Sequence, residues 1–132
     1  MGHLTVHARG PLPAEAVWER YAVPARWHTW APHISSVEYA EARLAQGARG
    51  RVLGPLGATA TFVIDSVDEP SQTWAWTVTV PVGGTSLMSV KLHHDVRSRG
   101  EGSWTSLRLG GPVIVIAGYA PIAWYALRRL TR

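Results

Sequence analysis

The sequence predicts an α+β domain: a curved antiparallel sheet of about seven strands wrapped around one long C-terminal helix, with two short helices after the first strand. Three observations carry this expectation. Trp74, Trp76, Val78 and Val80 alternate with Thr73, Ala75, Thr77 and Thr79, a period of two that marks a strand with one apolar face. Similar stretches recur at hairpin spacing from Ser35 to Leu109, so successive strands pair antiparallel and meander. The chain then closes with an uncharged run, Pro112 to Tyr125, followed by Ala126, Leu127, Arg128, Arg129 and Leu130.

Taken in order, Leu4, Val6 and Ala8 alternate with Thr5, His7 and Arg9 in a first strand that Gly10-Pro11-Leu12-Pro13 ends. Pro13 to Ala22 reads as a short helix, with proline at its start, Glu15 in its first turn and Arg20 in its last. Val17, Trp18 and Tyr21 form its apolar stripe. A second helical turn covers Pro24 to Trp30, where Trp27 and Trp30 can point the same way, and Pro32 stops it. Strands follow at Ser35–Tyr39, Gly47–Leu53, Ala58–Val67, Thr73–Val80, Ser86–Arg97 and Gly102–Leu109. Turns are expected at Gly54 to Gly57, Asp68 to Gln72 and Pro81 to Thr85. In the strand from Ser86, one face holds Met88, Val90, Leu92, His94 and Val96, and the other holds Lys91, His93, Asp95 and Arg97.

Gly110-Gly111-Pro112 opens the final helix, since proline at a first helical position loses no hydrogen bond, and Arg128 and Arg129 suit its C-terminus. Pro121 is expected to kink it near Gly118. A helix apolar on nearly every side must be covered by protein or by lipid. Its length sits at the roughly 20 residues a bilayer span requires. The preceding strands need a cover for their own apolar faces, and laying this helix across them satisfies both demands. The membrane reading is therefore the lesser one.

At 132 residues, with 46% hydrophobic and 17% charged side chains, the chain is expected to form one globular domain over 1–132. It has no cysteine, which excludes disulfides and thiolate chemistry. No signal sequence is read in its first residues, and Val6 stands where a Met1-Gly2 myristoylation motif wants Ser or Thr, so a cytoplasmic location is expected. The net charge of +4 comes from scattered arginines with Lys91 the only lysine, a pattern without a nucleic-acid motif. No nucleic-acid partner is expected, and the oligomeric state is left open, a homodimer included.

The order of elements, together with Val17-Trp-Glu, Pro24-Ala-Arg-Trp27, Trp30-Ala-Pro-His33, Gly47-Ala-Arg-Gly50, Trp74-Ala-Trp76 and Gly111-Pro112, resembles the helix-grip superfamily. This superfamily (SRPBCC, or START-like) takes in pollen-allergen-like proteins, steroidogenic lipid-transfer domains and bacterial polyketide cyclases. The closest likeness is to the small bacterial polyketide cyclase/dehydrase-like branch, and it runs over essentially the whole chain. The resemblance implies a cavity between the C-terminal helix and the concave sheet, holding an apolar or aromatic small molecule. Members cyclise or dehydrate polyketides, carry lipids or sense hormones. The chain ends almost directly after the helix, which points to a cavity too small for a sterol.

Within such a cavity His94 is the sharpest candidate, because the alternation puts it on the apolar face beside Leu92 and Val96. A buried imidazole there can move a proton in an aldol cyclisation or dehydration. The alternative is a core histidine hydrogen-bonded to backbone or water. Tyr39 and Tyr119 are candidates to present a hydroxyl to a carbonyl-bearing ligand, Tyr39 as a second catalytic group, the alternative being rings that pack while their hydroxyls reach water. The expected ligand-binding set is Trp27, Trp30, Phe62, Ile64, Trp74, Trp76, Met88, Val90, Ile116, Tyr119 and Trp124. The tryptophans can equally be core. A metal site is not expected: His3 and His7 on one strand stand about 13 Å apart, and His93 and His94 face opposite ways. There is no phosphate loop, dinucleotide fingerprint or nucleophile elbow, so no cofactor is expected either. Catalysis of cyclisation or dehydration and non-catalytic carriage of a hydrophobic guest both remain open readings.

Overall fold

The computed structural model describes residues 2–81 and 84–132. The expected turn between Pro81 and Thr85 therefore falls partly outside the described residues, at Val82 and Gly83. Seven strands form one antiparallel sheet: β1 (Gly2–Gly10), β2 (Ser36–Tyr39), β3 (Arg49–Leu53), β4 (Thr59–Asp68), β5 (Thr73–Pro81), β6 (Leu87–Arg99) and β7 (Gly102–Gly111). Their spatial order is β1-β7-β6-β5-β4-β3-β2, so the meander from β2 to β7 is closed off by β1 pairing with β7. Helix α1 (Ala14–Ala22) follows β1, and helix α2 (Val113–Leu130) ends the fold. This is the helix-grip architecture. The second helical turn is a 3₁₀ helix, Pro24–Thr29.

The period-two pattern decides which face is buried. In β6, Val90, Leu92, His94 and Val96 are buried and Lys91 and His93 are exposed. In β4, Phe62 and Ile64 are buried, and a bulge between Ile64 and Ser66 lets both Asp65 and Ser66 stay outside. Register then brings the aromatic residues together, setting Trp74 opposite His94 and Trp76 opposite Leu92. Trp27 enters from the 3₁₀ helix and meets Trp74, Trp76 and Phe62 at centroid distances of 5.7, 5.0 and 5.7 Å. Its indole N–H donates to the Tyr21 carbonyl at 2.9 Å, which satisfies the one polar atom it buries.

Helix α2 is continuous across Pro121. Ile116, Ala123, Ala126, Leu127 and Leu130 are buried on its inner side. Its end is tied down by α1 and the segment before it: Leu12 N–H donates to the Thr131 carbonyl, and the Arg20 guanidinium donates to the carbonyls of Arg129 and Leu130. Gly10 makes the contact feasible, because a Cβ there would collide with the Thr131 carbonyl oxygen. The sequence expectation of an all-round cover is corrected on the other side. Val113, Ile114, Ile122, Trp124 and Tyr125 are exposed, and only 28% of the helix is buried. By length and composition alone α2 could cross a membrane; in the fold, one stripe of it caps the sheet.

Candidate functional site

Between the first two turns of α2 and the concave face of β3 to β6 lies a partly open cavity of about 170 Å³. Val52, Ala60, Val78, Val80, Val90 and Leu92 form its floor, Val115 and Tyr119 its roof, and His33 and Ile34 its side. The alternation of the strands explains the floor: each of these residues sits on the inward face of its strand, and most are small or branched. A neighbouring space of about 20 Å³, bounded by Trp27, Trp30, Trp74, Trp76 and His94 among others, has room for one water and no more.

The polar part of the cavity wall is a pair. Tyr119 Oη and His33 Nε2 are 3.1 Å apart, and the rings meet edge-on with centroids 5.4 Å apart. Burial pushes the Tyr119 phenol up to about 12 and pulls the His33 imidazole below its ordinary value, so both are neutral near pH 7. His33 Nδ1 is buried with no hydrogen-bond partner among the described residues. Trp76 also lines the cavity, but its indole N–H is spent on His94.

His94 lies deeper, in a closed chain of hydrogen bonds. Trp76 Nε1 is 3.0 Å from His94 Nε2, and an indole nitrogen can only donate, so Nε2 accepts. The ring proton therefore sits on Nδ1, which donates to Tyr21 Oη at 3.0 Å. The Tyr21 hydroxyl is left to donate to Thr105 Oγ1 at 3.4 Å, and Thr105 donates to the Asp95 carbonyl at 2.7 Å. Every proton in the chain has an acceptor. Burial, with a smaller push from His93, pulls the His94 imidazole down to about 3, so the ring is neutral across the physiological range. Both nitrogens are occupied by protein, and the ring stacks flat on Trp74.

The remaining expected site residues divide by place. Trp76, Val90 and Tyr119 line the cavity. Trp27, Trp30 and Trp74 bound only the water-sized space; Trp27 and Trp74 stack on each other, and Trp30 meets Tyr21 edge-on. Phe62, Ile64 and Ile116 are core side chains, and Met88 is half-buried at the start of β6; none of the four reaches the cavity wall. Tyr39 is not at the cavity either. Its hydroxyl donates to the Arg43 carbonyl at 2.9 Å and accepts from the Ala45 N–H at 3.1 Å, bracing the loop before β3. Trp124 requires a correction: it is 45% exposed on the outer side of α2, with the Arg128 guanidinium 4.8 Å above its ring. The helical period puts Trp124 about 140° round the axis from Tyr119, and that turn sends it outward.

His33 is the polar wall residue that sequence reasoning passed over, and Ile34, Val52, Ala60, Val78, Val80, Leu92 and Val115 also lay outside the expected set. His33 belongs to the Trp30-Ala-Pro-His33 motif, but it stands in an irregular segment where no period says which way a side chain points. Its one mark in the sequence is that motif.

Comparisons with known proteins agree with this architecture. No curated protein matches the sequence. Among solved structures, Ara h 8.0201 superposes with a TM-score of 0.76 at 17% identity, covering 98% of this chain and 95% of its own. XoxI from Bacillus cereus gives 0.76 at 17% identity, with 99% and 94% covered. DynU16, a protein of the dynemicin biosynthetic locus, gives 0.70 at 20% identity over 97% of this chain but 46% of DynU16. These likenesses establish the fold. The family model described as polyketide cyclase / dehydrase and lipid transport matches residues 1–130, and the chain therefore belongs to that family.

Proposed function

We propose that the protein binds a small hydrophobic molecule, aromatic or polyketide-like, between its sheet and α2. The observation that carries this reading is a cavity of about 170 Å³ whose wall is aliphatic apart from Trp76, His33 and Tyr119. An apolar cavity of about 150 Å³ stays dry and takes up benzene, so one of this size suits a guest of about one ring, or one end of a longer chain. The family's description, covering both cyclisation and lipid transport, is consistent with such a guest. Carriage without chemistry fits the wall best, because the cavity offers few groups able to move a proton and His94 has both nitrogens engaged.

A second reading, cyclisation or dehydration of the guest, draws on one observation. A neutral imidazole joined to a buried phenol at 3.1 Å can pass a proton, which makes His33 and Tyr119 its carriers. Mass spectrometry of the denatured, freshly purified protein tests the binding reading: a stoichiometric apolar molecule supports it, and a guest-free protein that also takes up no added single-ring compound refutes it. Incubating the identified guest with the protein then separates the two readings, since carriage returns it unaltered and catalysis returns a product lighter by one water or isomeric with it.

A further inference from the structure

We propose that the cavity selects a neutral ring bearing an oxygen, a phenol or an aryl ketone, and that Tyr119 and His33 grip that oxygen. The inference rests on the cavity-binding reading and names the ligand class it takes. Of the eleven residues around the cavity, three carry polar side-chain atoms, and the indole of Trp76 is already committed to His94. Among the described residues the pair is thus the sole polar anchor left on the wall.

Counting protons shows what the pair lacks. If Tyr119 O–H donates to His33 Nε2, the ring proton sits on Nδ1, which is buried without a partner. If instead Nε2–H donates to Tyr119 Oη, the phenol hydrogen has no acceptor within the pair. In both arrangements one hydrogen is unspent, and leaving a buried donor unpaired is unfavourable. A ligand oxygen with a free lone pair accepts it. An ionised carboxylate does not suit the place, because the pair carries no charge to offset its desolvation and, among the described residues, no arginine or lysine lines the cavity.

The geometry is tested by calorimetric titration of the full chain with toluene, phenol and benzoate. In a purely apolar cavity toluene outbinds phenol, because phenol gives up its hydrogen bonds to water. With the pair acting as proposed, phenol binds at least as tightly as toluene, and benzoate at least roughly tenfold more weakly than phenol. Tyr119→Phe and His33→Leu then each weaken phenol by roughly tenfold while leaving toluene within about twofold, toluene serving as the check that the cavity is intact. Should His33→Leu lose toluene as well, Tyr119→Phe, which removes a single oxygen, decides the matter. Toluene outbinding phenol in the unaltered protein, or phenol undiminished in Tyr119→Phe, overturns the oxygen requirement and leaves the cavity reading standing. Failure of all three rings to bind overturns both.

Discussion

The imidazole of His94 lies flat against the indole of Trp74, centroids 4.5 Å apart and planes within 7°. The contact follows from register, which sets the two residues opposite each other on β6 and β5. With Trp76 donating to one ring nitrogen and Tyr21 accepting from the other, His94 joins α1 to the sheet. His94→Ala leaves a buried indole N–H unpaired, takes away the donor to the Tyr21 hydroxyl and opens a hole, and is expected to cost about 3 kcal/mol in denaturant unfolding. In His94→Gln the amide can still accept from Trp76 and donate to Tyr21, and the expected cost is about 1 kcal/mol.

The same residue makes stability depend on pH. The imidazole is held at about 3 in the folded protein against 6.5 for the free group, so the unfolded chain binds the proton first. Above pH 6.5 both states are neutral and the group contributes no slope. As pH falls from 6.5 toward 3, stability drops by as much as about 1.4 kcal/mol per unit. His33, also lowered by burial, adds to the slope in the same direction. Urea unfolding at pH 7 and pH 5 is expected to show this loss in the unaltered protein and a visibly smaller one in His94→Gln.

Ala60 is a half-buried residue of the cavity floor, paired with Val52. Ala60→Phe directs a ring into that empty space and is expected to weaken toluene binding at least tenfold, with a melting temperature unchanged or raised because the ring fills a cavity. Calorimetry and a thermal melt on the same sample report both effects.

Trp124 lies outside the cavity, so Trp124→Ser is expected to alter ring binding less than twofold and stability by less than about 0.5 kcal/mol. A tenfold loss of toluene affinity in this variant would return Trp124 to the binding site.

Gly10 tests how α2 is anchored. Gly10→Ala drives a methyl group into the Thr131 carbonyl oxygen, a backbone atom that cannot swing aside. The expected cost is about 3 kcal/mol by denaturant unfolding.

The sequence by itself determined the order of elements, the inward face of each strand and the helix that caps them. Those features rest on local signals: a period of two in Thr73–Val80, proline before a helix at Pro13 and Pro112, glycine and proline at the turns. It also placed His94 on the buried face. What it left open was every relationship that depends on two segments meeting. Whether the imidazole of His94 faces a guest or ends in Trp76 and Tyr21 is decided by strand register and by where α1 lands. Whether Trp124 faces in or out is decided by the rotation of α2 about its own axis. His33 became a wall residue because an irregular stretch turns toward Tyr119, 86 positions further along the chain. Periodicity fixes direction within one element, while contact between elements is set by packing that only the assembled chain resolves.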